Sequence, residues 1–239
     1  MKYHYALNRS GQIVSIYDVK ENGGIYSCPS CGSRLIAKIG QHREHHFSHM
    51  GSLHCSQETY LHLLAKRLFE QALNVKEPFY LNWRTSYHCI YKDAHSDCIR
   101  YKDHSIDILA KYSNVEVEKR DGAFIPDILL SDEQGDKVYI EFANTHYSSE
   151  DKKQSGIKII EISISKESDI EEMCKNRSIT AGDNVELFNF KMGSFNCDGD
   201  CISPKISFDI ELFVKSCPRP TYSKLKSPLL IKEAMAITM

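Results

Sequence analysis

Cys28-Pro29-Ser30-Cys31 is the segment that most narrows what this chain can fold into, because two thiols two residues apart in a tight turn can reach one metal ion. The other half of such a site is expected in His45-His46-Phe47-Ser48-His49, where His46 and His49 repeat the two-residue gap after fourteen intervening residues. Cys28, Cys31, His46 and His49 make a candidate tetrahedral Zn2+ set, with Cys55 and His45 as reserve ligands. Four protein ligands close the coordination shell, so this zinc is expected to be structural. From Tyr3 to Ile39, short apolar stretches are broken by Asn8-Arg9-Ser10-Gly11, Asn22-Gly23-Gly24 and Cys31-Gly32-Ser33, the pattern of small hairpins. The expectation is a zinc-ribbon-like β domain over residues 1–56.

The chain has nine cysteines, an odd number, and Met1-Lys2-Tyr3-His4 opens no signal peptide, which favours thiols and metal over a secreted disulfide framework. No run of about 18 apolar residues offers a membrane span. The expected location is the cytoplasm. The net charge of −2 hides a gradient, for residues 1–75 hold eight Lys/Arg against five Asp/Glu and seven of the eleven histidines. A nucleic-acid surface would therefore be local, with Lys38 and Arg43 of the ribbon as candidates to form it.

Beyond the ribbon, Leu61, Leu64, Ala65, Leu68, Ala72 and Leu73 recur at helical spacing, which predicts a helix over 58–73. A polar, His- and Tyr-rich stretch over 82–103 precedes strand-like segments at 105–110, 115–119, 124–130, 137–143 and 157–164. Ser148-Ser149-Glu150-Asp151 reads as the start of a short helix between the last two. Residues 170–175 read as a further helix, and 185–190 and 206–214 as strands. This order predicts an α/β (α+β) core over 57–217, followed by a C-terminal tail over 218–239.

Two carboxylates stand out within apolar strands, Asp127 in Phe124-Ile125-Pro126-Asp127-Ile128-Leu129-Leu130 and Glu141 in Val138-Tyr139-Ile140-Glu141-Phe142-Ala143. If 131–137 forms a hairpin centred on Gln134, positions summing to 268 face each other, and Asp127 lies opposite Glu141. Facing carboxylates in an apolar setting resist ionisation unless a cation or proton sits between them, which a divalent ion resolves. Glu58 and His62, four apart on the predicted helix, share a face and are candidates for the same centre. Cys89, Cys98, Cys197 and Cys201 form a looser set that a second structural zinc would have to draw together.

The order Cys-x-x-Cys, His-Phe-Ser-His, Glu-x-x-x-His, Pro-Asp and Ile-Glu resembles the competence protein CoiA-like family over about residues 20 to 165. The resemblance is strongest from Pro126-Asp127 to Ile160-Glu161-Ile162. It implies a zinc-ribbon-like N-terminus joined to a restriction-endonuclease-like core of the PD-(D/E)xK type. Carried over residue by residue, it makes Asp127, Glu141 and Glu58 the ligands of a catalytic Mg2+ or Mn2+ ion and Lys152 the basic group. Lys153 is a neighbouring alternative, and His146 a group that would orient substrate or water. The chain departs from the motif at Ala143, which stands where the lysine two residues after Glu141 is expected. The implied activity is metal-dependent hydrolysis of DNA phosphodiester bonds, in DNA uptake and recombination or in defence against foreign DNA. The alternative is a nucleic-acid-binding adaptor whose catalytic centre has decayed.

Overall fold

Short apolar pairs alternating with turns build strands over the first fifty residues: β1 (Tyr5–Leu7), β2 (Ile13–Ser15), β3 (Tyr26–Ser27), β4 (Arg34–Lys38) and β5 (His46–His49). A computed structural model describes residues 2–20, 23–51, 55–75, 77–88 and 99–191. The five strands form one sheet in the order β2-β1-β3-β4-β5. Tyr3 and Phe47 exchange both backbone hydrogen bonds, at 3.2 and 2.7 Å, which joins the last strand back to the segment before the first.

Helix α1 (Gln57–Asn74) follows, close to the predicted span. The Ser56 hydroxyl caps it by accepting the Thr59 N–H at 3.3 Å. Its buried face is set by period: Leu61, Ala65, Phe69 and Leu73 form one row and Tyr60 and Leu64 the next. Burial of Leu61, Leu64, Phe69 and Leu73 stabilises by about 10 kcal/mol in total, against about 1 kcal/mol for the cap. Packing therefore holds this helix, and the cap fixes where it starts.

Strands β6 (Tyr80–His88) and β7 (Ile99–Asp107) come next, then the helical turn α2 (Ile108–Lys111) and β8 (Asn114–Val117). After them run β9 (Ile128–Ser131), β10 (Lys137–Ala143), the turn α3 (Glu150–Lys153), β11 (Lys158–Ser163), α4 (Glu167–Asn176), β12 (Ser178–Thr180) and β13 (Val185–Phe188). The core sheet has the order β13-β11-β10-β9-β8. β9 and β10 are antiparallel with Ile128 opposite Ile140 and Leu130 opposite Val138, the register in which paired numbers sum to 268. β10 and β11 are parallel, and the connection through α3 is long enough for that crossover.

Alternation divides the sheet's side chains. Ile128, Leu130, Val138, Ile140, Phe142, Ile160 and Ile162 join the core that α1 covers, whereas Leu129, Tyr139 and Ile159 form a second cluster with Phe124, Ile157 and Phe188. The result is a mixed α+β fold made mostly of strands. The large core also contains Tyr3, Tyr5, Leu35 and Phe47, so ribbon residues and α1 share one interior across the expected boundary at residue 56.

By contact the chain divides into two units, residues 1–83 with 105–190, and residues 84–104 with 191–239. In the described part of the second, Arg84 meets Asp103 at 2.6 and 3.1 Å and Thr85 meets His104 at 2.9 Å.

Three local expectations change. The segment expected as a strand over 105–110 turns helical at Ile108, where the Asp107 carboxylate accepts the Leu109 N–H at 3.1 Å as a cap. The strand expected over 124–130 starts only at Ile128, for Pro126 has no N–H to give a ladder. The polar stretch contains strand, with β6 running to His88 and β7 starting at Ile99, and β12 pairs in parallel with β6 from Ser178 opposite Tyr80 to Thr180 opposite Asn82. The expected strand at 206–214 and the tail over 218–239 lie outside the described residues.

Arg177 closes the far end of α1. It sits in the left-handed region at φ 49° after α4, and its guanidinium donates to the carbonyls of Ala72 (2.8 Å), Pro78 (2.9 Å) and Glu77 (2.6 Å). These oxygens lie in the last turn of α1 and just beyond it, where carbonyls have no helical partner. Arg177→Ala keeps the same backbone strain and loses only the guanidinium, so chemical denaturation should show a loss of about 2 to 3 kcal/mol.

Candidate metal centre and acidic site

The turn between β3 and β4 carries the two thiols of the first site. The Cys28 N–H donates to the Ser33 carbonyl at 2.8 Å, the Gly32 N–H donates to the Cys28 carbonyl at 2.9 Å, and Gly32 takes φ 68°, where a side chain would be strained. Cys28 is fully buried and Cys31 exposed. Cys28 Sγ lies 3.6 Å from Cys55 Sγ, and Cys31 Sγ lies 3.2 Å from His49 Nε2. One donor atom from each of Cys28, Cys31, His49 and Cys55 falls within 4.8 Å of the others. Three thiols and an imidazole at this spacing are the donor set of structural zinc, and they can hold that ion.

His46 is not part of this set, and Cys55 takes its place. Residues 46–49 are a strand, so His46 and His49, three apart, point to opposite faces. His49 pairs with the buried Leu35, whereas His46 pairs with the exposed Lys38 and its Nδ1 donates to the Glu44 carbonyl at 2.8 Å. His45 is also outside the set. Cys89, Cys98, Cys197 and Cys201 lie outside the described residues.

Burial pushes the Cys28 thiol up to about 12. Burial also acts on Cys31, but hydrogen bonds from Ser33 and His49 outweigh it and bring that thiol down to about 6. A metal ion is what allows the buried member of such a pair to ionise. One zinc per chain is expected from this site, retained in His46→Ala and lost or weakened in Cys55→Ser, as elemental analysis of the purified variants would show.

The acidic residues gather at the adjoining ends of β9 and β10. Asp127 Oδ2 accepts from His62 Nε2 and from the Phe142 N–H, both at 2.9 Å, and Asp127 Oδ1 lies 3.6 Å from Lys66 Nζ. Lys66, itself buried, donates to Glu118 at 2.6 Å. Glu118 takes φ 51° and its N–H donates to the Asp127 carbonyl, so the strand end beside Asp127 is bent into an unusual backbone conformation. Glu58 accepts the Thr145 hydroxyl. Lys152 Nζ meets Glu141 Oε1 at 2.6 Å, and Lys153 Nζ meets the buried Glu161 at 3.3 Å. Glu161 also accepts the Ser148 N–H at 2.6 Å and pairs in register with Glu141. His146 is exposed and bonds to none of these acids.

Burial would raise Asp127, but the hydrogen bonds from His62 and Phe142 and the charges of His62 and Lys66 hold it below the usual carboxylate range. Glu141 goes the other way. Burial pushes it from 4.5 up to about 7, against the pull of Lys152, and the charges of Asp127 and Glu161 add to the rise. A carboxyl that holds its proton more tightly when folded contributes stability at low pH, and that contribution is lost as pH rises from about 4.5 through about 7. Carbon-detected NMR of the metal-free protein should show a Glu141 carboxyl titrating near 7. A midpoint at the ordinary value would contradict this account of its burial.

Three carboxylates and a histidine therefore approach one region, though among the described residues only the Cys28, Cys31, His49 and Cys55 group brings three or more donor atoms within 4.8 Å. Two participants escaped the sequence reading. Lys66 lies four residues after His62 and eight after Glu58, a spacing that places it on the same helical face, and Glu161 is a lone acid in an apolar strand as Asp127 and Glu141 are.

Among the described residues no helix is long and apolar enough to cross a membrane. Comparison with curated proteins gives no match, and neither does comparison with solved structures. Residues 12–58 match the model of the family described as competence protein CoiA, N-terminal domain, a span that takes in Cys28, Cys31, His49 and Cys55 and stops before Asp127. Over those residues the chain is similar to the N-terminal domain of competence protein CoiA.

Proposed function

We propose that the protein is a divalent-metal-dependent nuclease that hydrolyses DNA phosphodiester bonds on a restriction-endonuclease-like core. The observation that carries this reading is the pair of half-buried carboxylates Asp127, just before β9, and Glu141, on the neighbouring β10, one held by His62 and the other by Lys152. Glu141 Oε2 accepts no hydrogen bond among the described residues, and Asp127 Oδ1 has only the ammonium of Lys66 at 3.6 Å. These two oxygens are the ones open to a cation. Where they hold Mg2+ or Mn2+, the ion would polarise a bound water and offset charge that develops on the phosphate.

The chain's own groups supply the rest. Lys152 reaches Glu141 from α3, so a cation is present at the acid although Ala143 occupies the motif position. Lys152 can turn from the carboxylate to a phosphate oxygen and stabilise charge there. Glu58, in the first turn of α1 where it accepts the Thr145 hydroxyl, would serve as a further acid. In the ribbon, Arg34 and Lys38 are exposed on alternate positions of β4 and form no ion pair among the described residues, which suits contact with a phosphate backbone. The match of residues 12–58 to a competence protein supports DNA uptake and recombination as the setting, ahead of defence against foreign DNA.

A nucleic-acid-binding adaptor without cutting activity is the second reading, favoured by Ala143 and by the closed ion pair between Lys152 and Glu141. Incubation of the purified protein with single- and double-stranded DNA and RNA, with and without Mg2+ or Mn2+, separates the two. Under the nuclease reading DNA is cut only with the metal, and Asp127→Ala and Glu141→Ala each reduce cutting by at least about a hundredfold while DNA binding stays. Binding without cutting under every ion would leave the adaptor.

A further inference from the structure

Cys55 joins two parts of the molecule that the sites above treat separately. Its thiol belongs to the Cys28, Cys31, His49 group, and the next residue, Ser56, is the N-cap of α1. Three residues after Cys55 comes Glu58, and a further turn on comes His62, which holds Asp127 at 2.9 Å. The same junction is tied a second time, without metal. The Tyr3 ring packs edge-on against His49 at 5.2 Å and against Tyr60 of α1 at 4.5 Å, and the Tyr60 hydroxyl donates to the Tyr5 carbonyl at 3.2 Å.

We propose that Cys55 is a positioning residue: as a ligand of the Cys3His cluster it pins the first turns of α1, so that the bound ion holds Glu58 and His62 in place at the acidic site. The relevance to cutting rests on the nuclease reading, but the positioning itself does not. Three ligands lie in a hairpin and the strand that follows it, and the fourth sits at the threshold of the helix. An ion shared by all four fixes the helix start relative to the sheet. The first turn of a helix has few backbone bonds of its own, which makes it the part most dependent on an outside anchor.

Cys55 also differs from its partners in what its loss should do. Without Cys31, the exposed turn loses a ligand but the helix keeps its link through Cys55 to Cys28 and His49. Without Cys55, Cys28, Cys31 and His49 can still hold an ion more weakly, and the helix start loses its metal anchor and keeps only the contacts of Tyr60 with Tyr3 and Tyr5.

The test is amide hydrogen exchange on the full-length zinc-loaded protein, comparing wild type with Cys55→Ser, Cys31→Ser and Cys55→His, the last because imidazole also binds zinc. Cys55→Ser should speed exchange of the amides of Tyr60 to Leu64 by about tenfold or more, while Tyr139 to Phe142 and Ile159 to Ile162 keep their protection. Cys55→His should restore most of the protection, and Cys31→Ser should affect the helix less than Cys55→Ser. Chelation of zinc from wild type should reproduce the Cys55→Ser pattern, so the test does not depend on that variant folding.

Unchanged exchange in α1, or loss spread equally over the sheet strands, would overturn the proposal. Where wild type cuts DNA, Cys55→Ser should also reduce cutting, with Cys55→His recovering it. A wild type that cuts nothing would sink the nuclease reading and leave the exchange result to decide the role of Cys55.

Discussion

The packing of α1 across the ends of the core strands is the constraint on which the rest of the molecule depends. One row of its side chains, Glu58, His62 and Lys66, is spaced four residues apart and therefore runs along the helix at about 6 Å per step. Each member meets a different strand end: Glu58 reaches Thr145 after β10, His62 reaches Asp127 before β9, and Lys66 reaches Glu118 after β8. Strands lie about 4.8 Å apart, so a helix laid across them meets one strand per turn. The apolar rows beside this polar one supply the binding energy, with the Phe69 ring against Phe142 at 5.0 Å. A rotation of α1 by one residue would carry the polar row into the core and the apolar row out of it.

Charge follows from the same arrangement. Burying an acid without a counter-charge costs several kcal/mol, and here each is compensated by a base delivered from a helix. Asp127 is met by His62 and Lys66 from α1, Glu141 by Lys152 and Glu161 by Lys153 from α3. Compensation is uneven, however. Asp127 has three donors around it and stays ionised, whereas Glu141 has one and two acidic neighbours, and its proton is held until about pH 7. The deficit of positive charge is therefore located at Glu141, whose Oε2 accepts no hydrogen bond among the described residues.

Much of this could be read from the sequence, and the parts that could not share a physical cause. The extent of α1 followed from its period, and the β9–β10 register followed from a hairpin centred on Gln134, where the Asp132 N–H donates to the Asp136 carbonyl. The thiols Cys28 and Cys31 were set by a turn, whose geometry is local. In the second half the reserve ligand Cys55 stands where His46 was expected, because spacing has meaning only once the secondary structure is known. A gap of two residues brings histidines together in a turn but separates them on a strand, which excludes His46 and leaves room for Cys55. Lys66 was hidden by a related ambiguity, since a lysine in an apolar helix reads as solvent-facing until an acid from a distant strand end is seen to receive it.

Ala143 shows the same limit from the other side. Residues 141 and 143 point to one face of β10, so a lysine at 143 would stand beside Glu141 by alternation alone. Here that position is buried and filled by a methyl group, and the ammonium arrives from Lys152 on the helical turn covering that face. The backbone route is eleven residues instead of two, and it works because the crossover between parallel β10 and β11 must pass over the sheet. Any residue on the inner side of α3 is thereby aimed at the acids below it. Lys152 and Lys153 are adjacent and reach Glu141 and Glu161, acids that are themselves neighbours across the two strands. The topology fixes a place for a cation at this face, and the sequence fills it from the helix and leaves the strand position to packing.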